Sequence, residues 1–469
     1  DIQRTIYLRF RNPLSHIPGP EISKWTEAIY TFHWLTGKLP MYIHRLHEQY
    51  GPVVRTSPDK LDICDISAVK EIHKTNSRFS KTEFYRNLVA GNAHNLFSTS
   101  DRGFHAAHRR LLASPISDSS LTHLEPLIVD KIHLATSKIT QELEARGVVD
   151  IFKWWLFMTT DIIGDLTFGD SFRMLETGKK TQYSLDMERL LRFQAIRTTF
   201  PTALKIASYV PLPVFKAAAD AGNRLEMYAA QSVDRYKTLI SQNPSEPKQT
   251  LFTKLFDEKS GISYSDITHE AQSYIIAGSD TTAITLTYLV YAVCQDSRIQ
   301  KKLVTELASL PEPVTDKSLR DLPYLNHTIN ETLRLYSAVP TGLPRLVPPE
   351  GAEFNGYPVL PGTTVSTQAY SLHRQHDIFP NPERQVFNPE RWENPTKEMK
   401  DASLPFGGGS RICLGMHLAR MELRLATALF FRALPDARIS TQEGMTAKDM
   451  EMEAFFLMAP RGHRCLIET

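Results

Sequence analysis

Apolar positions along the chain change their period several times. Through the first hundred residues, short alternating runs ("GPVVRTSP", "KLDICDI") lie beside the helical spacing of "LPMYIHRLHEQY", which predicts a small sheet next to helices. Residues 101–113, "DRGFHAAHRRLLA", read as a helix that Pro115 ends. From roughly 121 to 340 the pattern is almost wholly helical, with breaks at "FGDSF", "YVPLPVF" and "NPSEPKQ", and this stretch predicts the larger lobe. Between 346 and 370, "AEFNGYPVLPGTTVSTQAY" sets Asn-Gly and Pro-Gly turns between strand-like runs, so a small hairpin sheet is expected. A last helix, "LGMHLARMELRLATALFFRAL", is followed by "MEAFFLMA", which reads as a strand. The fold class is mainly α, with a small β-rich lobe near the amino end. No low-complexity linker divides residues 1–469, so a single domain is expected.

One segment departs from amphipathic spacing. Residues 271–294, "AQSYIIAGSDTTAITLTYLVYAVC", hold one charged residue, Asp280. Gln, Ser, Gly and the Asp-Thr-Thr run would be costly in lipid, so the stretch reads as a buried central helix rather than a membrane span. Such a helix must have a use for a carboxylate and two hydroxyls in its interior.

Composition narrows the picture. Lys plus Arg number 54 against 52 Asp plus Glu, a formal charge of +2, which gives no electrostatic case for nucleic acid. Four scattered cysteines, Cys64, Cys294, Cys413 and Cys465, fit no disulfide framework and no zinc spacing. Three of them read as structural. Cys413 lies in "FGGGSRICLG", where bare backbone lets the chain turn tightly and aim amides at a sulfur. The chain opens at Asp1 without a charged-then-apolar leader, and reads either as a soluble protein from its mature start or as one from which an upstream segment has been removed.

"FGGGSRICLG" resembles the haem-binding loop of the cytochrome P-450 family, Phe-x-x-Gly-x-Arg-x-Cys-x-Gly, at every fixed position. Three further family motifs follow the proper order: "AGSDTT" in the central helix, "ETLR" (Glu331 to Arg334) and "FNPERW" (Phe387 to Trp392). The resemblance spans nearly the whole chain. It implies haem b held between the central helix and the cysteine loop with its following helix, Cys413 being the axial iron ligand. A thiolate there favours cleavage of the O–O bond of bound dioxygen. Phe406 and Gly407 lie under the ring, and Arg411 is placed to pair with a propionate. His105 and Arg109, four apart on one helical face, resemble the family's Trp-x-x-x-Arg with His105 in place of the tryptophan; His108 and Arg110 face elsewhere. Arg345 resembles the arginine that reaches a propionate from the other side. Glu331, Arg334 and Arg391 are expected to form a buried network that holds the cysteine loop, a structural and not a chemical role.

Asp280 and Thr281 are the expected catalytic pair, relaying protons to bound oxygen. Ala277 and Gly278 lack bulk and are expected to leave a groove above the ring. The substrate chamber is assigned to Phe84, Tyr85, Leu96, Phe97, Val339, Phe455 and Phe456, with Tyr274 on the central helix and Asn92 and His94 to orient a polar group.

The resemblance implies insertion of one dioxygen atom into an apolar small molecule, by hydroxylation or epoxidation. The opening "RTIYLRFRNPLSHIPGP" looks like that of fungal microsomal members just after their membrane helix. This implies an endoplasmic-reticulum enzyme of secondary metabolism, on the cytosolic face, monomeric, taking NADPH electrons through a separate cytochrome P-450 reductase that docks near Arg110, Arg420 and Arg424. Rival readings keep the haem but end in desaturation, ring closure or coupling, or make the protein a haem sensor or carrier, which would need no acid-alcohol pair; a haem-free helical scaffold predicts no visible absorption.

Overall fold

Asp101 starts the helix expected over 101–113: its carboxylate accepts the amides of Gly103 and Phe104 at 2.7 and 3.0 Å, and the helix runs Arg102–Ala113 (α1). The computed structural model describes residues 12–89, 94–202, 213–242, 250–256, 260–380 and 384–469. Within the helical stretch lie Asp118–Arg146 (α2), Ile151–Phe168 (α3), Gln182–Thr199 (α4), Pro213–Gln242 (α5), Tyr264–Cys294 (α6) and Pro323–Leu335 (α7), and beyond the cysteine comes Met416–Ala433 (α8). The break at "FGDSF" is a left-handed cap, Gly169, that ends α3. "NPSEPKQ" and most of "YVPLPVF" lie outside the described residues.

The central helix α6 is 31 residues long and is opened by Ser263, whose hydroxyl accepts the Asp266 amide. It packs along α3 and also touches α5, α7 and α8, so it is covered on several sides and has no polar face to keep in water. Its hydroxyls are used locally: Thr285 and Thr287 donate to the carbonyls of Thr281 and Ala283, one turn back. Among the described residues no helix is long and apolar enough to cross a membrane.

The strand-rich lobe is drawn from two distant parts of the chain. Val53–Ser57 (β1), Lys60–Ile63 (β2) and Ser80–Lys81 (β3) join Arg345–Leu346 (β4) and Thr364–Ser366 (β5) in one sheet of order β1-β2-β5-β4-β3. Only β2 and β5 run parallel. The expected Asn-Gly hairpin forms as Ala352–Phe354 against Tyr357–Val359. The register of β3 and β4 sets Lys81 opposite Arg345, an unfavourable pairing of like charges at the edge of the sheet.

"MEAFFLMA" is two strands and not one: Met452–Phe455 (β6) turns back on Leu457–Pro460 (β7), with Phe455 opposite Leu457. The turn residue is Phe456, at φ 90°, a backbone region that a bulky side chain rarely enters. No Gly or Asn announces that turn, so alternation alone reads as one continuous strand.

Candidate functional site

The site is a cavity of about 400 Å³ walled by α6, α4, α1, the sheet edge, the β6–β7 turn and the cysteine loop. On α6, Glu270, Tyr274, Ala277 and Thr281 recur at helical spacing and all line it. Thr281 donates its hydroxyl to the Ala277 carbonyl at 2.7 Å, which leaves the oxygen lone pairs for another donor. Gly278 also lines the cavity, but the room left by its missing side chain is used by Ile163 of α3: a Cβ there would come 2.8 Å from Ile163 Cγ1. It is therefore glycine chiefly for helix packing. Asp280 is not in the wall. It stands half-buried beside it, close enough to Tyr183 to help burial hold that phenol above its usual range.

The cysteine loop is folded by its own amides. Gly407 donates to Leu404, Ile412 to Gly409, and Cys413 to the Phe406 carbonyl at 2.8 Å. Gly409, at φ 57°, lies so close to the 66–73 helix that a Cβ would sit 1.8 Å from the His73 carbonyl. Asn76 clamps the same loop by donating its amide to Ser410 Oγ at 3.0 Å. Cys413 is exposed to the cavity it lines, although protein surrounds it on its other sides. Burial pushes its thiol up, opposed by the Gly415 amide, which bonds the sulfur, and by the nearby Arg109 charge.

Cations converge on the same cavity. Arg109 donates to the Ile412 carbonyl at 2.9 Å, and Arg411 to the Thr99 carbonyl at 3.1 Å. Arg345 is buried, and its Nε has no partner. Lys81, missed in the sequence, donates to the Phe97 carbonyl and lies 4.3 Å from the centre of the Tyr85 ring. Among the described residues none of these four meets a carboxylate. Burial, then Arg345, pulls Lys81 well below its usual value, and the same causes bring Arg411 down to about 10. His105 is buried; desolvation, then Arg411, pulls it to about 3, so its imidazole is neutral.

Two acidic side chains in the wall also escaped sequence reading. Glu270 accepts the His108 imidazole, expected to face elsewhere, at 2.8 Å, and the Leu96 amide at 2.7 Å. Glu422 on α8 is pushed by burial up to about 8, with the Thr282 hydroxyl opposing. Periodicity held the signal for both. Glu270 shares the face of Thr281, and Glu422 falls on the apolar face of Leu418, Leu425 and Leu429.

Behind the loop, Glu331 and Arg334 are fully buried, joined by bonds of 2.7 and 2.8 Å. Arg391 adds a longer contact of 3.4 Å, and Trp392 and the Asn388 amide also donate to Glu331. A further residue carries this network onward. His373, brought by burial to about 3 and hence neutral, donates Nδ1–H to the Arg334 carbonyl and accepts the Leu404 amide on Nε2.

Of the expected chamber residues, Tyr85, Leu96, Phe97, Tyr274, Val339 and Phe456 line the cavity, as do Phe406 and Gly407 of the cysteine loop. Phe84, His94 and Phe455 do not. Phe84 packs among Trp34, Tyr85 and Phe456; His94 bonds Thr99 and lies tilted against the Phe104 ring; Phe455 lies against Gly37. Asn92 lies outside the described residues. On the outer face Arg110 is exposed, Arg420 lies over the Phe406 ring at 5.5 Å, and Arg424 is buried in an ion pair with Asp316 at 2.6 Å. Arg424 is thus removed from any docking surface.

The donor set fits an iron porphyrin: one soft sulfur ligand, and a group of cations that includes an orphaned buried Nε and lacks the carboxylates that two propionates would supply. The comparisons agree. The cytochrome P450 family model matches residues 20–466. The cytochrome P450 monooxygenase tazI of Aspergillus terreus is 49% identical over 467 residues, covering 99% of this chain and 95% of that protein. The monooxygenase orf2 of Aspergillus niger is 45% identical with the same coverage, and stcB of Emericella nidulans is 34% identical over 478 residues, covering 100% and 90%. The chain belongs to the cytochrome P450 family: it is an oxidoreductase, a haem b monooxygenase that uses dioxygen and NADPH-derived electrons from a redox partner on a small organic substrate.

Proposed function

We infer that the chain hydroxylates or epoxidises an apolar small molecule of fungal secondary metabolism. It works as a monomer at the cytosolic face of the endoplasmic reticulum, with NADPH-cytochrome P450 reductase meeting the surface around Arg110. What carries the reading is one cavity that holds Cys413, Thr281 and cations without carboxylates. When bound, haem supplies dioxygen activation, which a thiolate ligand promotes.

The chain's own residues do the rest. Cys413 would ligate the haem iron, its sulfur moderated by the Gly415 amide. Arg109, Arg345, Arg411 and Lys81 answer the propionates, and neutral His105 donates a hydrogen bond to one of them. Thr281 holds a proton donor at the wall while Asp280, just outside it, draws protons from beyond the cavity. Leu96, Phe97, Val339 and Phe456 exclude water and hold the target carbon over the ring. Glu331, Arg334 and Arg391 keep the cysteine loop in place.

Ferrous protein with carbon monoxide gives the red-shifted Soret band of a thiolate ligand, and Cys413→Ala loses it. Turnover with reductase, NADPH and labelled dioxygen places one labelled atom in the product. An unlabelled product would replace insertion by desaturation, ring closure or coupling.

A further inference from the structure

Helix α4 presents two polar side chains to the cavity, Gln194 and Arg197, one turn apart and so on one face. Arg197 donates Nε to the Asn87 carbonyl at 2.9 Å and Nη2 to the Leu88 carbonyl, which fixes the guanidinium across the short helix Phe84–Leu88. Those carbonyls orient the charge without neutralising it. Among the described residues, Nη1 makes no hydrogen bond and no carboxylate lies in ion-pair range.

Three buried guanidiniums among the described residues are completed, unlike that of half-buried Arg197. Arg334 and Arg424 have carboxylates, and Arg374 places all three nitrogens on protein oxygens. Arg197 also enters the cavity from a different element, α4, whereas Arg109, Lys81, Arg345 and Arg411 come from α1, the sheet edge and the cysteine loop. Burial lowers it to about 10. Gln194 is 7% exposed, and its amide bonds no described residue. An apolar chamber with one incomplete cation and one unused amide is built for a ligand that is mostly hydrocarbon and carries one anionic oxygen.

We propose that the substrate is an acid, a carboxylate or an enolate on an apolar skeleton, whose anionic oxygen is bound by Arg197 Nη1 with the Gln194 amide as second donor. The proposal rests on the monooxygenase reading and names the substrate class for it. Recognition at Arg197 fixes one end of the molecule and so selects which carbon is oxidised.

The test is a Soret titration of the ferric holoenzyme at pH 7.5 with two acid probes, dodecanoate and 2-octanoylcyclohexane-1,3-dione, against their neutral partners, the methyl ester and the methyl enol ether. The expected result is at least tenfold tighter binding of one acid than of its partner; which acid it is tells carboxylate from enolate. In Arg197→Gln that preference falls to near unity, in Arg197→Lys most of it survives, and in Gln194→Leu, which leaves the Arg197 anchorage intact, it falls several-fold. Imidazole binding and the carbon monoxide band serve as folding controls for each variant. Equal or tighter binding of the neutral partners, no response to any of the four probes, or a preference that persists in Arg197→Gln overturns the proposal while leaving the monooxygenase reading intact. A wild-type protein without the thiolate band overturns both.

Discussion

Glu270 Oε1 and His108 Nδ1 lie 2.8 Å apart with side chains 0% and 3% exposed, a sealed contact between the central helix and α1. The same oxygen takes the Leu96 amide, so the wall segment that includes Leu96 and Phe97 hangs from α6 by one carboxylate. Removing one partner of a buried hydrogen bond costs about 1–3 kcal/mol, because the other is left unsatisfied. Glu270→Ala should therefore lower stability by about that amount and speed exchange of the Leu96 amide, whereas Glu270→Gln, which keeps an acceptor, should cost about 1 kcal/mol. Denaturant titration and amide exchange by mass spectrometry measure both. Equal losses in the two variants would show that the acceptor oxygen is immaterial.

Thr281 faces the cavity with its hydroxyl proton committed to Ala277. Thr281→Ala should retain haem and the carbon monoxide band while product per NADPH falls by about tenfold or more and hydrogen peroxide appears in its place. Thr281→Ser should restore coupling. Unchanged coupling in the alanine variant would remove Thr281 from proton handling.

Lys81 and Arg345 sit opposite each other in the sheet register, and both line the cavity. Without haem they repel; with it they would share its acids. Lys81→Met should therefore raise the melting temperature of the haem-free protein and yet speed haem transfer to apomyoglobin by about tenfold, the equivalent of ~1.4 kcal/mol. Two shifts in the same direction would show that Lys81 serves packing alone.

Glu422 is held neutral in the folded chain up to about pH 8, whereas its ordinary value is 4.5. The native state keeps a proton that the unfolded chain releases, so stability is highest below 4.5, falls as pH rises toward 8 and levels off above it. The slope is at most about 1.4 kcal/mol per pH unit from this group. Glu422→Gln should remove that slope and be the more stable protein at pH 8.5. Parallel stability curves for wild type and variant between pH 5 and 8 would contradict a buried neutral carboxyl.

What could be read from the sequence followed from spacing. Cys413 among glycines, Thr281 in an otherwise apolar helix, and Glu331 one turn from Arg334 are each marked by local pattern; Cys413 and Thr281 line one cavity, and Glu331 pairs with Arg334 behind it. Lys81 carries no such pattern. It matters because β4, from the other end of the chain, sets Arg345 beside it. Arg424 reads as a docking charge in the sequence, but Asp316, which opens the short helix Asp316–Arg320, pairs with it in the interior. Phe84 and Phe455 are aromatic neighbours of true wall residues, and only tertiary packing decides which of two adjacent rings faces the ligand. Arg197 is the plainest case: its significance lies in an unanswered charge, and a counter-ion's absence cannot be seen from sequence.

Gly409 against the His73 carbonyl, and Asn76 on Ser410 334 residues further along, have a consequence for biosynthesis. The cysteine loop is clamped only when the segment around Asn76 meets one made 334 residues later. At roughly 5–20 residues per second the first waits on the order of tens of seconds for the second. A growing chain that has not reached Ser410 therefore lacks the clamp, and the thiol site is completed only after both segments have been made.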